Sequence, residues 1–127
     1  GRAALEQALA RFGLARWLRP IVTRDDVGRM KPDAEGVFAV LREWRLPADT
    51  VLFVGDSRAD VLAARNSGLR VAIVRGGECG DSGLAGAQPD FMLTRLDEIP
   101  ERCFGQQPAR DLARVHLSGR RPGARAE

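Results

Sequence analysis

The chain has 127 residues, of which 44% are hydrophobic and 29% are charged, and its formal net charge is +3. This length and composition fit one globular domain and exclude a globally disordered or fibrous protein. No apolar run approaches the roughly 18 residues of a membrane span, which argues against an integral membrane protein. No signal-peptide pattern opens the sequence, so a cytoplasmic location is expected.

The positive charge is concentrated near the end of the sequence. Residues 1–104 carry fifteen basic and fifteen acidic side chains, whereas residues 105–127 carry five arginines against Asp111 and Glu127. Because the body has no basic stripe, no nucleic-acid partner is predicted. Nineteen of the twenty basic residues are Arg, which makes the single lysine, Lys31, conspicuous.

Cysteine and histidine are too few and too scattered for a zinc site. Cys79 and Cys103 form no Cys-x-x-Cys pair, and the only histidine is His116. Two unpaired cysteines fit a reducing compartment, with a Cys79–Cys103 disulfide as the less favoured alternative.

The first half of the sequence predicts two amphipathic helices around a short strand. The first helix covers Ala3–Phe12 and ends at Gly13. Ile21-Val22 is predicted as a short strand. The second helix has Pro32 in its first turn, where proline is tolerated. Its apolar face carries Val37, Leu41 and Trp44.

The second half alternates apolar strands with helices, which indicates an α/β fold with a parallel sheet. The apolar run Val51–Val54 is typical of a central strand covered on both faces. The glycine-rich segment 76–87 predicts a surface loop, and residues 105–127 predict a basic, disordered tail. Further strands are predicted at Val71–Val74 and Phe91–Leu93, and helices at Asp60–Asn66 (closed by Gly68) and Leu96–Phe104.

Two carboxylates follow the first long strand. Asp56 comes directly after its end, Gly55 lets the backbone turn or approach a ligand, and Asp60 lies four residues later on the first helical turn. Ligands of open parallel sheets bind at this edge, and paired carboxylates suit a hard cation such as Mg²⁺. The alternative is purely structural: Asp56 or Ser57 caps the helix and Asp60 is a favourable N-terminal charge.

Lys31 precedes the second helix, so it can reach the same edge of the sheet. An ammonium there would neutralise a phosphate as a point charge. The alternative is an ordinary solvated lysine.

Taken together, Lys31-Pro32-Asp33 and the Gly-Asp-Ser-x-x-Asp sequence of residues 55–60 resemble the haloacid dehalogenase (HAD) superfamily. The resemblance runs from Arg2 to Phe104 and is closest to the phosphoglycolate phosphatase-like branch. It implies a three-layer, Rossmann-like parallel sheet that is incomplete at its N-terminal side. Residues 1–104 would be the C-terminal part of that core.

The resemblance also implies roles for the site residues. Lys31 would hold the nucleophile and the phosphoryl group, with Gly55 and Ser57 beside it in phosphate binding. Asp56 would bind Mg²⁺, and Asp60 would bind the metal-site waters or steady Lys31. Family enzymes hydrolyse a phosphate monoester through an aspartyl-phosphate, so the implied partner is a small phosphorylated metabolite.

One family motif has no counterpart. The nucleophile of these enzymes lies in an Asp-x-Asp motif, which occurs nowhere in this sequence. The chain therefore resembles the C-terminal half of a phosphatase and is expected to be inactive alone. The alternative is a non-catalytic remnant or binding fragment, and the oligomeric state is not predicted.

Two other enzyme or signalling classes fit less well. A serine esterase with Ser57 as nucleophile needs a downstream Asp-x-x-His, whereas Asp111 and His116 are five residues apart. A phosphate-accepting receiver domain has its acidic cluster before its lysine, and here Lys31 comes first.

Overall fold

A computed structural model describes residues 1–76, 81–84 and 86–105. Residues 77–80 and 85 of the predicted glycine-rich loop, with Cys79 among them, and the predicted tail beyond Gly105 lie outside the described residues. Short 3₁₀ turns cover Arg24–Asp26, Ala48–Thr50, Asp81–Leu84 and Leu96–Glu98. The α-helices are α1 (Arg2–Arg11), α2 (Glu35–Trp44), α3 (Arg58–Asn66) and α4 (Ile99–Phe104), and the strands are β1 (Leu52–Gly55), β2 (Arg70–Val74) and β3 (Phe91–Leu93).

The three strands form one parallel sheet in the order β1-β2-β3. Leu52 is in register with Arg70, and Ala72 with Phe91, so the carboxyl ends of all three strands share one edge. This arrangement confirms the predicted α/β class and places the residue after β1 at the edge where ligands of such sheets bind.

The side chains of β2 alternate between two apolar layers, as expected for a strand covered on both faces. On one face, Val71 and Ile73 pack with Val61 of α3 and Leu41 of α2. On the other, Ala72 packs with residues of β3 and α4, including Leu93 and Cys103. Two helical layers therefore enclose the sheet, which is the predicted three-layer arrangement.

Two predictions in the first half are wrong. Ile21-Val22 forms no strand, because Pro20 lacks an N–H and Thr23 already caps the turn Arg24–Asp26. The Ile21 carbonyl instead accepts a hydrogen bond from the Arg2 guanidinium at 3.1 Å. Pro32 lies outside α2, which begins at Glu35 after a turn.

The prediction of a central, fully covered first long strand is also wrong for the described residues. β1 pairs with β2 alone and is therefore an edge strand, and Val54 is 38% exposed. The predicted closing helix divides at Ile99 into a 3₁₀ turn and α4, because Pro100 suits only the first turn of an α-helix. No helix in the described part of the chain is long and apolar enough to cross a membrane.

Candidate active site

The turn between β1 and α3 is fixed by a reciprocal capping box. Ser57 is the N-cap of α3, and its Oγ accepts a hydrogen bond from the Asp60 N–H at 3.3 Å. The Asp60 carboxylate in turn accepts from the Ser57 N–H at 3.0 Å. The capping interpretation of Ser57 is thus confirmed, and the cap fixes where the Asp60 carboxylate lies.

Asp60 is a buried carboxylate that accepts four hydrogen bonds. Besides the Ser57 N–H, Oδ2 accepts hydrogen bonds from Ser57 Oγ at 2.7 Å and the Asp56 N–H at 3.1 Å. Oδ1 accepts from Lys31 Nζ at 2.6 Å. Burial alone would raise the pKa of Asp60, but the hydrogen bonds from Lys31, Ser57 and the Asp56 backbone outweigh it and lower that pKa. Asp60 is therefore an anion at neutral pH.

Gly55 is required by the position of Asp60. A Cβ atom at residue 55 would lie 2.5 Å from both Cβ and Cγ of Asp60 and 2.6 Å from its Oδ2. Contacts this short do not occur, so any larger residue at position 55 must displace the carboxylate. The sequence predicts that the backbone turns or approaches a ligand at this glycine. In the structure, the group that lies this close to Gly55 is the side chain of Asp60.

Lys31 reaches the site from a loop 29 residues earlier in the sequence. Its side chain is 54% exposed, whereas its partner Asp60 is only 2% exposed. The ammonium thus lies at the boundary between the protein and solvent, with one of its three donors used by Oδ1. Lys31 is not the isolated surface lysine of the alternative interpretation.

Asp56 differs from Asp60 both in solvent exposure and in the hydrogen bonds of its carboxylate. It is exposed, and within residues 1–76, 81–84 and 86–105 its carboxylate has no hydrogen-bond or ion-pair partner. The two carboxylates that the sequence pairs thus differ: that of Asp56 is exposed and has no partner among the described residues, whereas that of Asp60 is buried and accepts four hydrogen bonds. The Asp56 carboxylate is available to a ligand.

Two contacts around the Lys31 loop were not expected from the sequence. Asn66, the last residue of α3, donates from Nδ2 to the Pro32 carbonyl at 2.9 Å. The Glu35 carboxylate accepts from the N–H groups of Gly28 at 2.8 Å and Arg29 at 3.0 Å. No local pattern signals either contact, because each joins a side chain to the backbone of a separate segment.

The chain is similar to known proteins both in sequence and in structure. Residues 1–74 match the family model of haloacid dehalogenase-like hydrolases. The chain is 35% identical over 99 residues to a plasmid phosphoglycolate phosphatase of Cupriavidus necator, which covers 78% of this chain and 43% of that protein. It is 31% identical over 98 residues to pyrophosphatase PpaX of Bacillus velezensis, with coverage of 77% and 45%.

A solved structure of a HAD phosphatase from Thermococcus onnurineus matches with a TM-score of 0.64 at 25% identity, covering 76% of this chain and 44% of that one. The chain thus spans less than half the length of these relatives. The family match covers more than half of the chain and includes Lys31, Asp56 and Asp60. This protein belongs to the haloacid dehalogenase-like hydrolase family.

Proposed function

We propose that this chain supplies the lysine and one metal-binding carboxylate of a phosphatase site that hydrolyses a small phosphate monoester. The observation that carries the proposal is the 2.6 Å contact between Lys31 Nζ and the buried Asp60, next to the free carboxylate of Asp56. At this edge of the sheet, the Lys31 ammonium with its remaining donors suits a phosphate, and the exposed Asp56 carboxylate suits the cation that accompanies the phosphate. A phosphoglycolate-like substrate is favoured because relatives carry the name phosphoglycolate phosphatase.

Asp56 is the residue that we assign to Mg²⁺. Its exposed carboxylate matches the preference of this cation for oxygen ligands. Among the described residues no three His, Cys, Asp or Glu side chains lie together as a metal site. Mg²⁺ does not require such a cluster, because it keeps several waters and uses one or two carboxylates besides substrate oxygens. When bound, the ion would neutralise charge on the phosphoryl oxygens.

Asp60 is assigned to positioning rather than to the metal. A carboxylate offers about four acceptor sites, and Asp60 accepts four hydrogen bonds, from Lys31, Asp56 and Ser57. Three of them reach Oδ2, and Oδ1 accepts from the Lys31 ammonium, so a cation bound at Oδ1 would lie against another positive charge. Of the two roles that the resemblance implies for Asp60, the steadying of Lys31 is therefore the one we propose.

Lys31 is assigned to the phosphoryl group. Two of its three N–H donors remain after the contact with Asp60, and its ammonium is accessible to solvent. Ser57 Oγ is already bonded to Asp60, so we assign Ser57 and Gly55 to shaping the turn beneath the phosphate. Phosphate binding by these two residues stays a prediction.

The attacking carboxylate is assigned to a segment outside these 127 residues, since no Asp-x-Asp motif occurs in them. Two features support a strand of that segment lying beside β1. Among the described residues β1 pairs on one edge only. A cavity of about 520 Å³ borders it, with Val54, Val37 and Leu41 among its lining.

The test is release of phosphate from 2-phosphoglycolate with Mg²⁺, measured for the 127-residue chain and for a longer protein that contains it. We expect no turnover by the chain alone. For the longer protein, we expect losses of about 100-fold or more in Asp56→Ala and Lys31→Ala, the scale seen when one transition-state contact is removed. Asp49→Asn is the matched control, because this exposed carboxylate precedes β1 at its opposite end.

Three outcomes would contradict parts of this proposal. Turnover by the chain alone that is lost in Asp56→Ala would place the nucleophile inside it. Wild-type turnover in Lys31→Ala would remove the role of that lysine. The second candidate function is a non-catalytic binding fragment, which the missing Asp-x-Asp motif favours. It would be supported if the longer protein showed no turnover but bound phosphoglycolate in calorimetry.

A further inference from the structure

We infer that Asn66 is a positioning residue for Lys31, holding the backbone at Pro32 so that the ammonium lies against Asp60. Asn66 Nδ2 donates to the Pro32 carbonyl at 2.9 Å, across 34 residues of sequence. Pro32 directly follows Lys31, so this bond fixes the chain where the lysine side chain begins. The inference rests on the proposed role of Lys31 in phosphate binding.

The position of Lys31 needs such support because of where the residue lies. It belongs to a turn before α2, so its backbone takes no part in the hydrogen-bond pattern of a helix or strand. A lysine side chain loses much rotamer freedom when it is immobilised, and a partly exposed ion pair alone compensates for little of that loss. If the backbone is already fixed, less conformational entropy is lost when the lysine side chain becomes ordered.

Helix α3 holds the Lys31 segment at two points. Asp60, in its first turn, accepts from the ammonium, and Asn66, its last residue, binds the next carbonyl. They lie six positions apart in the helix, about 9 Å along the axis. Because a short helix is stiff, the two contacts together fix both the backbone and the charged end of Lys31 relative to the carboxyl edge of the sheet.

The Asn66 side chain is not needed to end the helix. Ser67 already closes α3, since its Oγ donates to the carbonyls of Ala63 and Ala64 at 2.9 and 3.0 Å. Gly68 continues the turn with a positive φ of 74° and donates its N–H to the Arg65 carbonyl. The amide of Asn66 is therefore left for the contact with Pro32.

A second contact restrains the loop from its other side. Glu35, the first residue of α2, accepts from the N–H groups of Gly28 and Arg29, and the Arg29 guanidinium lies 3.5 Å from its carboxylate. The loop that carries Lys31 is thus held by α2 before the lysine and by α3 after it. Among the described residues, two hydrogen bonds link this loop to α3: that of Lys31 with Asp60 and that of Asn66 with the Pro32 carbonyl.

The experiment exploits the single lysine of this chain. When the 127-residue protein is labelled with ¹³C,¹⁵N-lysine, all side-chain lysine signals come from Lys31. We expect the order parameter of its Cε methylene in Asn66→Ala to fall between that of wild type and that of Asp60→Ala, which removes the ion pair. Asn66→Asp keeps the shape but removes the donor, and we expect the same fall.

Arg65→Ala is the matched control. Arg65 is the neighbouring residue of α3 and also makes a long-range contact, with Asp90 at 3.1 Å, but on the side of β3. We expect its removal to leave the Lys31 signals as in wild type. Fluorescence of Trp17 and Trp44 and near-ultraviolet circular dichroism verify that each variant is folded.

Either of two results would overturn the inference. In the first, both Asn66 variants keep the wild-type order of Lys31 while Asp60→Ala lowers it. In the second, Arg65→Ala lowers the order as much as Asn66→Ala, which would mean general loosening of α3. The measurement needs no turnover, so a chain without phosphatase activity can still show the Asn66 effect, and an active one can lack it.

Discussion

The two halves of the described structure bury their apolar residues very differently. In the sheet and α3, residues such as Ala63, Val71 and Ile73 are completely buried. In the first fifty residues, only Leu9 and Ala34 are buried apolar residues. Exposed there are Leu5, Phe12, Leu14, Trp17, Leu18, Met30, Phe38 and Trp44.

Because few apolar residues are buried there, polar contacts contribute relatively more to the structure of the first half than to that of the second. Arg2 binds Asp26 at 2.7 Å, and Trp44 Nε1 donates to the Arg19 carbonyl at 2.8 Å. Exposed ion pairs of this kind contribute little to stability. Lys31 comes from this weakly packed half, whereas Asp56 and Asp60 come from the well-packed one, so the contact between Lys31 and Asp60 joins the two.

The largest effect that tests this comparison is expected in the core of the sheet. Ile73 has no exposed surface and packs in the layer shared by α2 and α3. Ile73→Ala leaves a cavity there, and we expect the free energy of unfolding to fall by about 2–5 kcal/mol. Urea denaturation followed by circular dichroism measures this loss.

The matched substitution in the first half is Phe12→Ala. Phe12 is 70% exposed, so its removal is expected to change the free energy of unfolding by less than about 0.5 kcal/mol. Equal losses in the two variants would show that both halves depend on packing alike, contrary to the comparison.

A smaller effect is expected at the junction of the two halves. Gly55→Ala places a Cβ 2.5 Å from Asp60, so the carboxylate must leave the position in which it accepts from Lys31. We expect a loss of about 1–3 kcal/mol in the free energy of unfolding, as for other overpacked sites. The NMR signals of Lys31 are expected to move toward those of Asp60→Ala.

Gly36→Ala is the control for this substitution. Its Cβ would lie 3.8 Å from methyl groups of Val22 and Val27, which is ordinary contact, and alanine favours the helix by roughly 0.5–1 kcal/mol. We therefore expect Gly36→Ala to be neutral or stabilising. A Gly55→Ala variant as stable as Gly36→Ala, with unchanged Lys31 signals, would contradict the packing argument at residue 55.

The sequence predicts the well-packed half better than the other. The strands at Val71–Val74 and Phe91–Leu93 are unbroken apolar runs, and the structure confirms both to within one residue. Ile21-Val22 has the same composition but forms no strand, because its neighbours cap a turn instead of extending a ladder. A short apolar run therefore forms a strand only where a neighbouring strand is available for hydrogen bonding, and local composition does not show whether one is.

The same limit applies to the candidate site. The Gly-Asp-Ser-x-x-Asp pattern predicts that Asp56 and Asp60 share one edge of the sheet, because the pattern is local. It does not reveal that Asp60 accepts four hydrogen bonds while Asp56 has no side-chain partner among the described residues. The contact of Asn66 with Pro32 spans 34 residues and has no signature in sequence spacing.

The smallest expected effect concerns the polar contacts of the first half. The Arg2 guanidinium, with hydrogen bonds from Thr23, lowers the pKa of Asp26 from its ordinary 3.8 to about 2. Because the folded pKa is the lower one, the contact stabilises the protein above about pH 4 and is lost as pH falls toward 2. We expect Asp26→Asn to lower the melting temperature slightly at pH 6 and to flatten its decline between pH 4 and 2. Asp49→Asn, which removes an exposed carboxylate, should follow the wild-type profile, and an Asp26→Asn profile parallel to wild type throughout would show that this ion pair does not hold the first half.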